Sequence, residues 1–440
     1  MRAVTGKRRP WYEIAMTPKG AVVTPASRPL AGELRVPGDK SIAHRALIFG
    51  ALADGGLRVA GLPSGEDVAA TWHALMALGV TVVRDGDAVH VRGPAPDRRL
   101  RQPRAPLDCA NSGTTMRLLM GLLAGQEFES ILVGDASLSR RPMARVAAPL
   151  RAMGAEVRLV HDQHAPVHIL GRRPLTPWRG RLEVASAQVK SAILIASLYA
   201  DGASHIDAPF PTRDHSERLL TWLGGPALLR APAPLAIPGD ISSAAAFIAA
   251  ATLVSGSHLD LVDVGLNPTR TGFLDALARM GATIDRRDER ELCDEPWGTL
   301  AVSAADLVGI TVDATEVPRL IDEVPLLAVL ATQARGRTRI AGLAELRLKE
   351  SDRLAATLAG LYAMGARVSS DGDDLVVDGP ARLRGTAIDT HGDHRLAMAF
   401  AVAALVADGP TTLSDAACAA VSYAEFLATL TGLVEGRGTA

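Results

Sequence analysis

LMALGVTV, from Leu75 to Val82, decides how the rest of the chain is read. An apolar helical stretch stops at Gly79 and a β-like run starts at once. Glycine ends helices because it enters the left-handed region without steric cost. The same helix, glycine and strand recur at LRAMG to Gly154, LARMG to Gly281 and LYAMG to Gly365. LLTWLG ends alike at Gly224 but has no β-like run behind it, and a weaker copy, LATLTG, ends at Gly432. Six copies in 440 residues leave about 70 residues per unit, so the repeat is the architecture.

Each unit holds a second, more apolar helix ahead of the glycine-ended one. These begin SIAHRAL at Ser41, SGTTMRL at Ser112, QVKSAIL at Gln188, SSAAAFI at Ser242, DEVPLLA at Asp322 and HRLAMAF at His394. They are apolar almost all round, which predicts helices buried inside a layer. Their apolar runs fall well short of the roughly 18 to 20 residues of a membrane span. The glycine-ended helices keep one polar face and are expected outside. Short alternating runs such as DAVHVRG and DDLVVDG, with Asp-Gly turns, supply strands. The unit reads β-α-β-α-β-β, and the length suits two domains of three units.

Hydrophobic content of 48%, charged content of 22% and a net charge of −1 predict sizeable cores under a balanced surface, with no nucleic-acid or membrane partner. Three cysteines, Cys109, Cys293 and Cys418, form no paired framework, as expected of a reducing cytoplasm. The first twenty residues are basic without an apolar core and read as a loose arm.

The functional signal lies in what opens the helices. Lys40, Ser41 and Arg45 open the first buried helix, Asn111, Ser112, Gly113 and Thr114 the second, with Arg117 one turn in. Ser186, Ala187 and Gln188 open the third, Asp240 to Ser243 the fourth, Asp322 and Glu323 the fifth, and Asp393, His394 and Arg395 the sixth. Arg141, Arg213, Lys349, Glu350 and Arg353 precede or open outer helices. A helix start already carries about +0.5 charge and free N–H groups. Cations placed there cost stability unless an anionic ligand joins them. Taken singly, the Ser, Thr, Asn and Asp residues read first as ordinary N-caps, and Arg353 as a possible solvated pair with Glu350 and Asp352. The conjunction across repeats points to a site for phosphate and carboxylate groups, with acids to move protons.

Other constellations carry less. His161, His164 and His168 in HDQHAPVH read as hairpin histidines, without the further spacing of a metal site. Arg98 to Arg104 read as a solvated loop, since base-stacking aromatics are missing. No phosphate-loop or dinucleotide motif is present, so a nucleotide cofactor is not indicated.

GDKSIAHR, NSGTTMR, SLSRRPM, SAQVKSAILIASL, TRDHSER, PRLIDEVPLLAV, LKESDRL and GDHRLAMAF, in this order from Gly38 to about Phe426, together resemble the EPSP synthase family, the 3-phosphoshikimate 1-carboxyvinyltransferases. SAQVKSA, TRDHSER and LKESDR resemble its glyphosate-tolerant bacterial subgroup. The resemblance implies a two-lobed, inside-out α/β barrel of six β-α-β-α-β-β units, three per lobe. Residues 38–238 would form the first lobe, and 1–37 with 239–440 the second. It implies transfer of the enolpyruvyl group of phosphoenolpyruvate to the 5-hydroxyl of shikimate 3-phosphate, by addition and elimination, in a cytoplasmic monomer that needs neither metal nor organic cofactor, and inhibition by glyphosate.

By the same resemblance Ser41 and Arg45 hold the shikimate ring and its carboxylate. Ser186, Ala187, Arg213 and Lys349 hold its 3-phosphate side. Lys40, Gly113, Arg141 and Gln188 receive the phosphate of phosphoenolpyruvate, and Arg353 and Arg395 its carboxylate. Asp322 takes the hydroxyl proton and Glu350 protonates C3, assisted by His394 and Lys40. One departure stands out. The family often has a lysine in a KTFP-like segment near the end, where this chain has Val421, with Ala424 at the proline place. The competing readings are a UDP-N-acetylglucosamine enolpyruvyl transferase, for which Cys109 would be the cysteine to weigh, and a catalytically silent anion-binding homologue.

Overall fold

The L-x-x-M-G spacing has a hydrogen-bond meaning. In the computed structural model, which describes residues 16–17, 20–95, 97–208 and 211–436, Val80, Ala155, Ala282 and Ala366 donate their N–H groups to the carbonyls of Leu75, Leu150, Leu277 and Leu361 at 3.0–3.1 Å. Each bond runs from the residue after the glycine back to the leucine that opens the motif, the Schellman closure of a helix. Gly79, Gly154, Gly224, Gly281 and Gly365 all have positive φ, between 80° and 103°. Gly432 does not end its helix. The chain stays helical from Phe426 to Glu435 and stops at Gly436, because Leu430 and Leu433 both pack into the core. Of the expected loose arm, Met16, Thr17 and Gly20 are described, and they pair as strand rather than hang free; the rest lies outside the described residues.

Helices come in pairs. In chain order they are α1 Lys40–Leu52, α2 Glu66–Ala77, α3 Gly113–Ala124, α4 Ala144–Ala152, α5 Ala187–Ser197 and α6 His215–Trp222. The second half repeats them as α7 Ile241–Leu253, α8 Gly272–Met280, α9 Val324–Gln333, α10 Arg353–Ala363, α11 His394–Ala404 and α12 Phe426–Glu435. Odd-numbered helices are the apolar ones, and nearly all of their residues are buried. α3 packs on both α1 and α5, while α7, α9 and α11 pack on one another. Two separate cores result, one drawing on Ile42 to Ile237, the other on Ala21 to Val36 and Ile241 to Leu433. Among the described residues, no helix is long and apolar enough to cross a membrane.

Among the described residues, five four-stranded sheets cover these helices, each with a parallel pair and an antiparallel hairpin. The third unit is the exception to six equal repeats. Among the described residues it has only the parallel strands Arg179–Arg181 and His205–Asp207. After Gly224 the chain enters a short helix, Gly225–Leu228, and Pro226 there has no N–H to give a ladder. Leu235–Ala236 instead completes the first unit, pairing parallel to Leu57–Ala60. In the second lobe Ala31–Leu34 pairs with His258–Gly265, and Gly20–Val23 pairs with Thr411–Leu413. The chain's beginning therefore supplies the hairpin that its end lacks.

Both passages between the cores run side by side. The Asp39 N–H donates to the Pro238 carbonyl at 2.7 Å, and the Asp240 N–H to the Pro37 carbonyl at 2.8 Å. A Cβ on Gly38 would lie 1.9 Å from the Gly61 carbonyl oxygen, so no other residue fits there. Asp39 and Asp240 cap α1 and α7. Arg270, 3% exposed, reaches both caps, with Nη1 2.9 Å from Asp39 and Nη2 3.3 Å from Asp240. Beside it the buried His215 of the first lobe meets Glu295 of the second at 2.7 Å.

Candidate active site

Helix starts from both lobes face one cleft of about 400 Å³. Its lining includes every residue to which the resemblance gives a role: Lys40, Ser41, Arg45, Gly113, Arg141, Ser186, Ala187, Gln188, Arg213, Asp322, Lys349, Glu350, Arg353, His394 and Arg395. Asn111, Ser112, Ser242, Ser243, Glu323 and Asp393, also at helix starts, do not line it. Ten cationic side chains line it against five carboxylates. That surplus at helix starts calls for an anionic ligand.

On the first-lobe wall, Ser112 caps α3 by accepting from the Thr115 N–H at 3.1 Å. The Nη1 atoms of Arg117 and Arg141 both converge on Gly113, each 3.2 Å from where a Cβ would stand. Asn111 accepts from Arg141 at 2.6 Å, and Asp67 pairs with Lys40 at 2.7 Å. Gln188 accepts from Arg117 and donates to Thr114. Burial, then the nearby Arg145 and Arg141, push the Arg117 guanidinium down to about 9. Several cations are thus held close together with no acid among them on that wall except Asp67. Arg45 is buried, its Nε and Nη2 fixed at 2.7 Å by Ser216 and Ser191 and its Nη1 by the Ser41 carbonyl.

The second-lobe wall carries the acids. Asp322 stands in a 3-10 turn, Ile321–Glu323, just ahead of α9, so it does not open the α-helix as expected. Pro325 in the first turn of α9 shifts the helical start past it. Burial would raise its carboxyl, but Lys349, Arg213, Arg395 and Arg353 outweigh this and hold it well below the usual range. Glu350 is likewise held low by Arg353, Arg141 and Lys40 against the opposing effect of burial. Both are carboxylates in the ligand-free protein. Arg353 is no solvated helix face. It is 1% exposed, pairs with Asp393 at 2.9 Å and with Glu350, and lies 3.4 Å from Asp322. Asp352 turns away to cap α10 and meet Arg347. His394 is 2% exposed, and neither ring nitrogen has a partner. Burial, then Lys40 and Arg395, keep it neutral by lowering its pKa well below 6.5.

The walls touch. Arg213 pairs with Asp322, Ser137 donates to the Glu350 carbonyl at 3.0 Å, and Arg145 chelates Glu345 at 3.1–3.2 Å. Sequence reasoning left Asp67, Arg117, Arg145, Arg270 and Glu345 without roles. A cation three or four residues inside a helix carried the only available signal, and it fits Arg117.

The remaining sequence candidates fall elsewhere. His161, His164 and His168 lie in the hairpin of Glu156–Val160 and His164–Leu170. Arg98 is half-buried and donates to the Leu198 and Pro226 carbonyls, tying two loops together, so the arginine run is not all solvated. Cys109 is fully buried beside the Leu107 carbonyl, and burial raises its thiol pKa, which takes it out of the cleft's chemistry. Val421 ends a 3-10 turn and places its carbonyl beside Gly65, ahead of α2, without lining the cleft.

Comparison with known proteins agrees with this geometry. The family model described as EPSP synthase (3-phosphoshikimate 1-carboxyvinyltransferase) matches residues 24–430. A curated 3-phosphoshikimate 1-carboxyvinyltransferase from Acidithiobacillus ferrooxidans is 51% identical over 418 residues, covering 92% of this chain and 95% of its own. The solved EPSP synthase of Acinetobacter baumannii superposes with a TM-score of 0.80 at 38% identity, covering 95% of this chain and 98% of its own. The enolpyruvyl transferase NikO of Streptomyces tendae shares the fold, with a TM-score of 0.75 at 20% identity over 94% of this chain and 97% of its own.

Proposed function

The chain belongs to the EPSP synthase family, and from that premise we propose how its cleft carries out the family's reaction. The protein transfers the enolpyruvyl group of phosphoenolpyruvate to the 5-hydroxyl of shikimate 3-phosphate, releasing phosphate, in the shikimate pathway. The observation that carries the assignment of roles is the placement of two ionised acids, Asp322 and Glu350, on one wall of a cation-lined cleft.

Ser41 and Arg45 hold the shikimate carboxylate side, and Ser191 and Ser216 fix Arg45 in the plane that does so. Ser186, Ala187, Arg213 and Lys349 hold the 3-phosphate. Lys40, the Gly113 amide, Arg141 and Gln188 take the other phosphate, and Arg353 and Arg395 the carboxylate beside it. Asp322 accepts the 5-hydroxyl proton as that oxygen attacks C2. The π pair of the C2=C3 bond takes a proton from Glu350, giving a tetrahedral ketal. Glu350 then removes a proton from C3 as the C2–O bond to phosphate breaks. His394, neutral and unpartnered, faces the same space. Phosphate release from shikimate 3-phosphate and phosphoenolpyruvate, with UDP-N-acetylglucosamine as the control acceptor, tests the acceptor. Release with the control alone would overturn it.

The lobes are taken as 38–238 and 1–37 with 239–440, supported by the paired passages at Gly38 and Gly239. A cytoplasmic monomer without nucleic-acid or membrane partners fits the balanced charge and three free cysteines. SAQVKSA, TRDHSER and LKESDR support placement in the glyphosate-tolerant subgroup, although Gly113 keeps a glycine where that subgroup often has alanine. A methyl group there would crowd Arg117 and Arg141 at 3.2 Å, and overpacking of this kind costs roughly 1 to 3 kcal/mol. Gly113→Ala is expected to raise the glyphosate inhibition constant more than the KM for phosphoenolpyruvate, since the inhibitor is the longer molecule. Equal shifts in both constants would separate Gly113 from that pocket.

A further inference from the structure

Three helices of the first lobe are joined by a chain of polar groups that water does not reach. His44 on α1, Thr71 on α2 and Thr115 on α3 are all 0% exposed. His44 Nδ1 lies 2.7 Å from the Thr71 hydroxyl, which lies 2.7 Å from the Thr115 hydroxyl. The Thr115 hydroxyl in turn lies 2.8 Å from Ser112 Oγ and 3.2 Å from the Asp67 carbonyl. Apolar side chains would fill this layer without needing partners. The chain is satisfied except at His44 Nε2, which has no partner, and hydrogen-bonded buried networks hold one arrangement of their elements against others.

The ends of the chain show which arrangement is held. Ser112 is the cap immediately before Gly113. Asp67 offers its carbonyl to Thr115 and its carboxylate to Lys40. Two links therefore tie α1 to the start of α3 and meet at Thr115, one from Lys40 through Asp67 and one from His44 through Thr71. We propose that His44, Thr71 and Thr115 are positioning residues, a strut that fixes the spacing between Lys40 and the Gly113 amide and so the fit of the donor substrate's phosphate. This rests on the reading that Lys40 and Gly113 hold that phosphate.

The protonation state suits the role. Burial, then Lys40 and Arg45, push the His44 pKa well below 6.5, so the ring is neutral and adds no charge behind Lys40. A neutral ring has one N–H. With it on Nδ1, His44 donates to Thr71, Thr71 to Thr115, and Thr115 to Ser112 or the Asp67 carbonyl. Each hydroxyl spends its single proton once, and the chain has one direction.

Thr71→Val and Thr115→Val keep the side-chain shape and remove the hydroxyl, and His44→Leu removes the ring donor. Each is expected to raise the KM for phosphoenolpyruvate about tenfold, the effect of leaving one buried group unpaired. The KM for shikimate 3-phosphate and kcat should stay within about twofold. Thr71→Ser and His44→Asn, which keep a hydrogen-bonding atom in place, should recover most of the loss and keep the test open if an apolar variant does not fold. Parallel changes in both KM values and kcat, no change at all, or Thr71→Ser as impaired as Thr71→Val would each overturn the strut. Lys40→Met is the separate control: an unchanged KM for phosphoenolpyruvate in that variant sinks the phosphate assignment beneath it, whatever the threonine variants show.

Discussion

Asp322→Asn and Glu350→Gln should each cut turnover by about 10² or more, the size of a general acid–base contribution, while shikimate 3-phosphate still binds. The structure says why each change is severe. Asp322 is ionised because Lys349, Arg213, Arg395 and Arg353 overcome the cost of burying it; an amide has no basic oxygen to take the hydroxyl proton. Glu350 presents the opposite problem, since it is also ionised before substrates arrive and must give a proton to C3. The cations that hold its pKa down include Arg141, Arg353 and Lys40, which are the ones assigned to phosphoenolpyruvate. Anions arriving there cancel that field, burial then dominates, and the Glu350 pKa rises. Binding should therefore take up a proton. Calorimetry of shikimate 3-phosphate with glyphosate, a non-reacting anion, in buffers of different ionisation heat would detect the uptake. Glu350→Gln should reduce it, and any uptake that remains belongs to Asp322, whose cations Lys349, Arg213, Arg395 and Arg353 also meet the anions. Turnover within tenfold of wild type in both variants would remove these acids from the mechanism.

The fold was legible because its signal is local. A leucine carbonyl, a glycine and the next N–H make one Schellman closure within six residues, and the chain writes it four times in full. Gly432 misled because the pattern does not record whether the residues beyond it, here Leu433, still have a core to enter. The third unit lost its hairpin for an equally local reason, Pro226, but no local signal shows that the strand after it, Leu235–Ala236, joins the first unit's sheet instead. In the site, Lys40, Arg353 and Arg395 were visible as cations placed against the electrostatics of their own helices. Their partners were not. Asp67 meets Lys40 across 27 residues and Glu345 meets Arg145 across 200, and no periodicity marks such pairs. Arg353 could be read as a surface pair from its neighbours in sequence, whereas its true neighbour Asp393 comes from another unit.

Arg270 is the residue whose loss should cost most stability. It lies 3% exposed between the caps Asp39 and Asp240, at the place where both passages between the lobes run together. Burial alone would raise the Asp39 carboxyl; Arg270 and then His215 bring it down to about 2. Arg270→Met keeps an apolar stem of similar reach and leaves two carboxylates buried without their cation. Breaking a buried pair in this way costs about 3 to 5 kcal/mol, enough to lower the melting temperature by roughly 10 °C for lobes of this size. The pH dependence follows from the direction of the shift. A carboxyl held below its unfolded value near 3.9 stabilises the fold above that pH, and the contribution is lost as pH falls towards 2. In Arg270→Met the largest contribution opposing burial is gone and His215, the Ile42 N–H and Arg213 remain, so the carboxyl pKa rises, and the variant's deficit should be largest at neutral pH and shrink in acid. Asn caps helices about as well as Asp, so adding Asp39→Asn and Asp240→Asn to Arg270→Met should restore much of the loss by removing the stranded charges. Melting curves of the single and triple variants between pH 4 and 7 decide it. A deficit that is independent of pH and unchanged in the triple variant would mean that Arg270 acts by packing alone, and that the two passages are held together by their backbone hydrogen bonds without a buried charge to pin them.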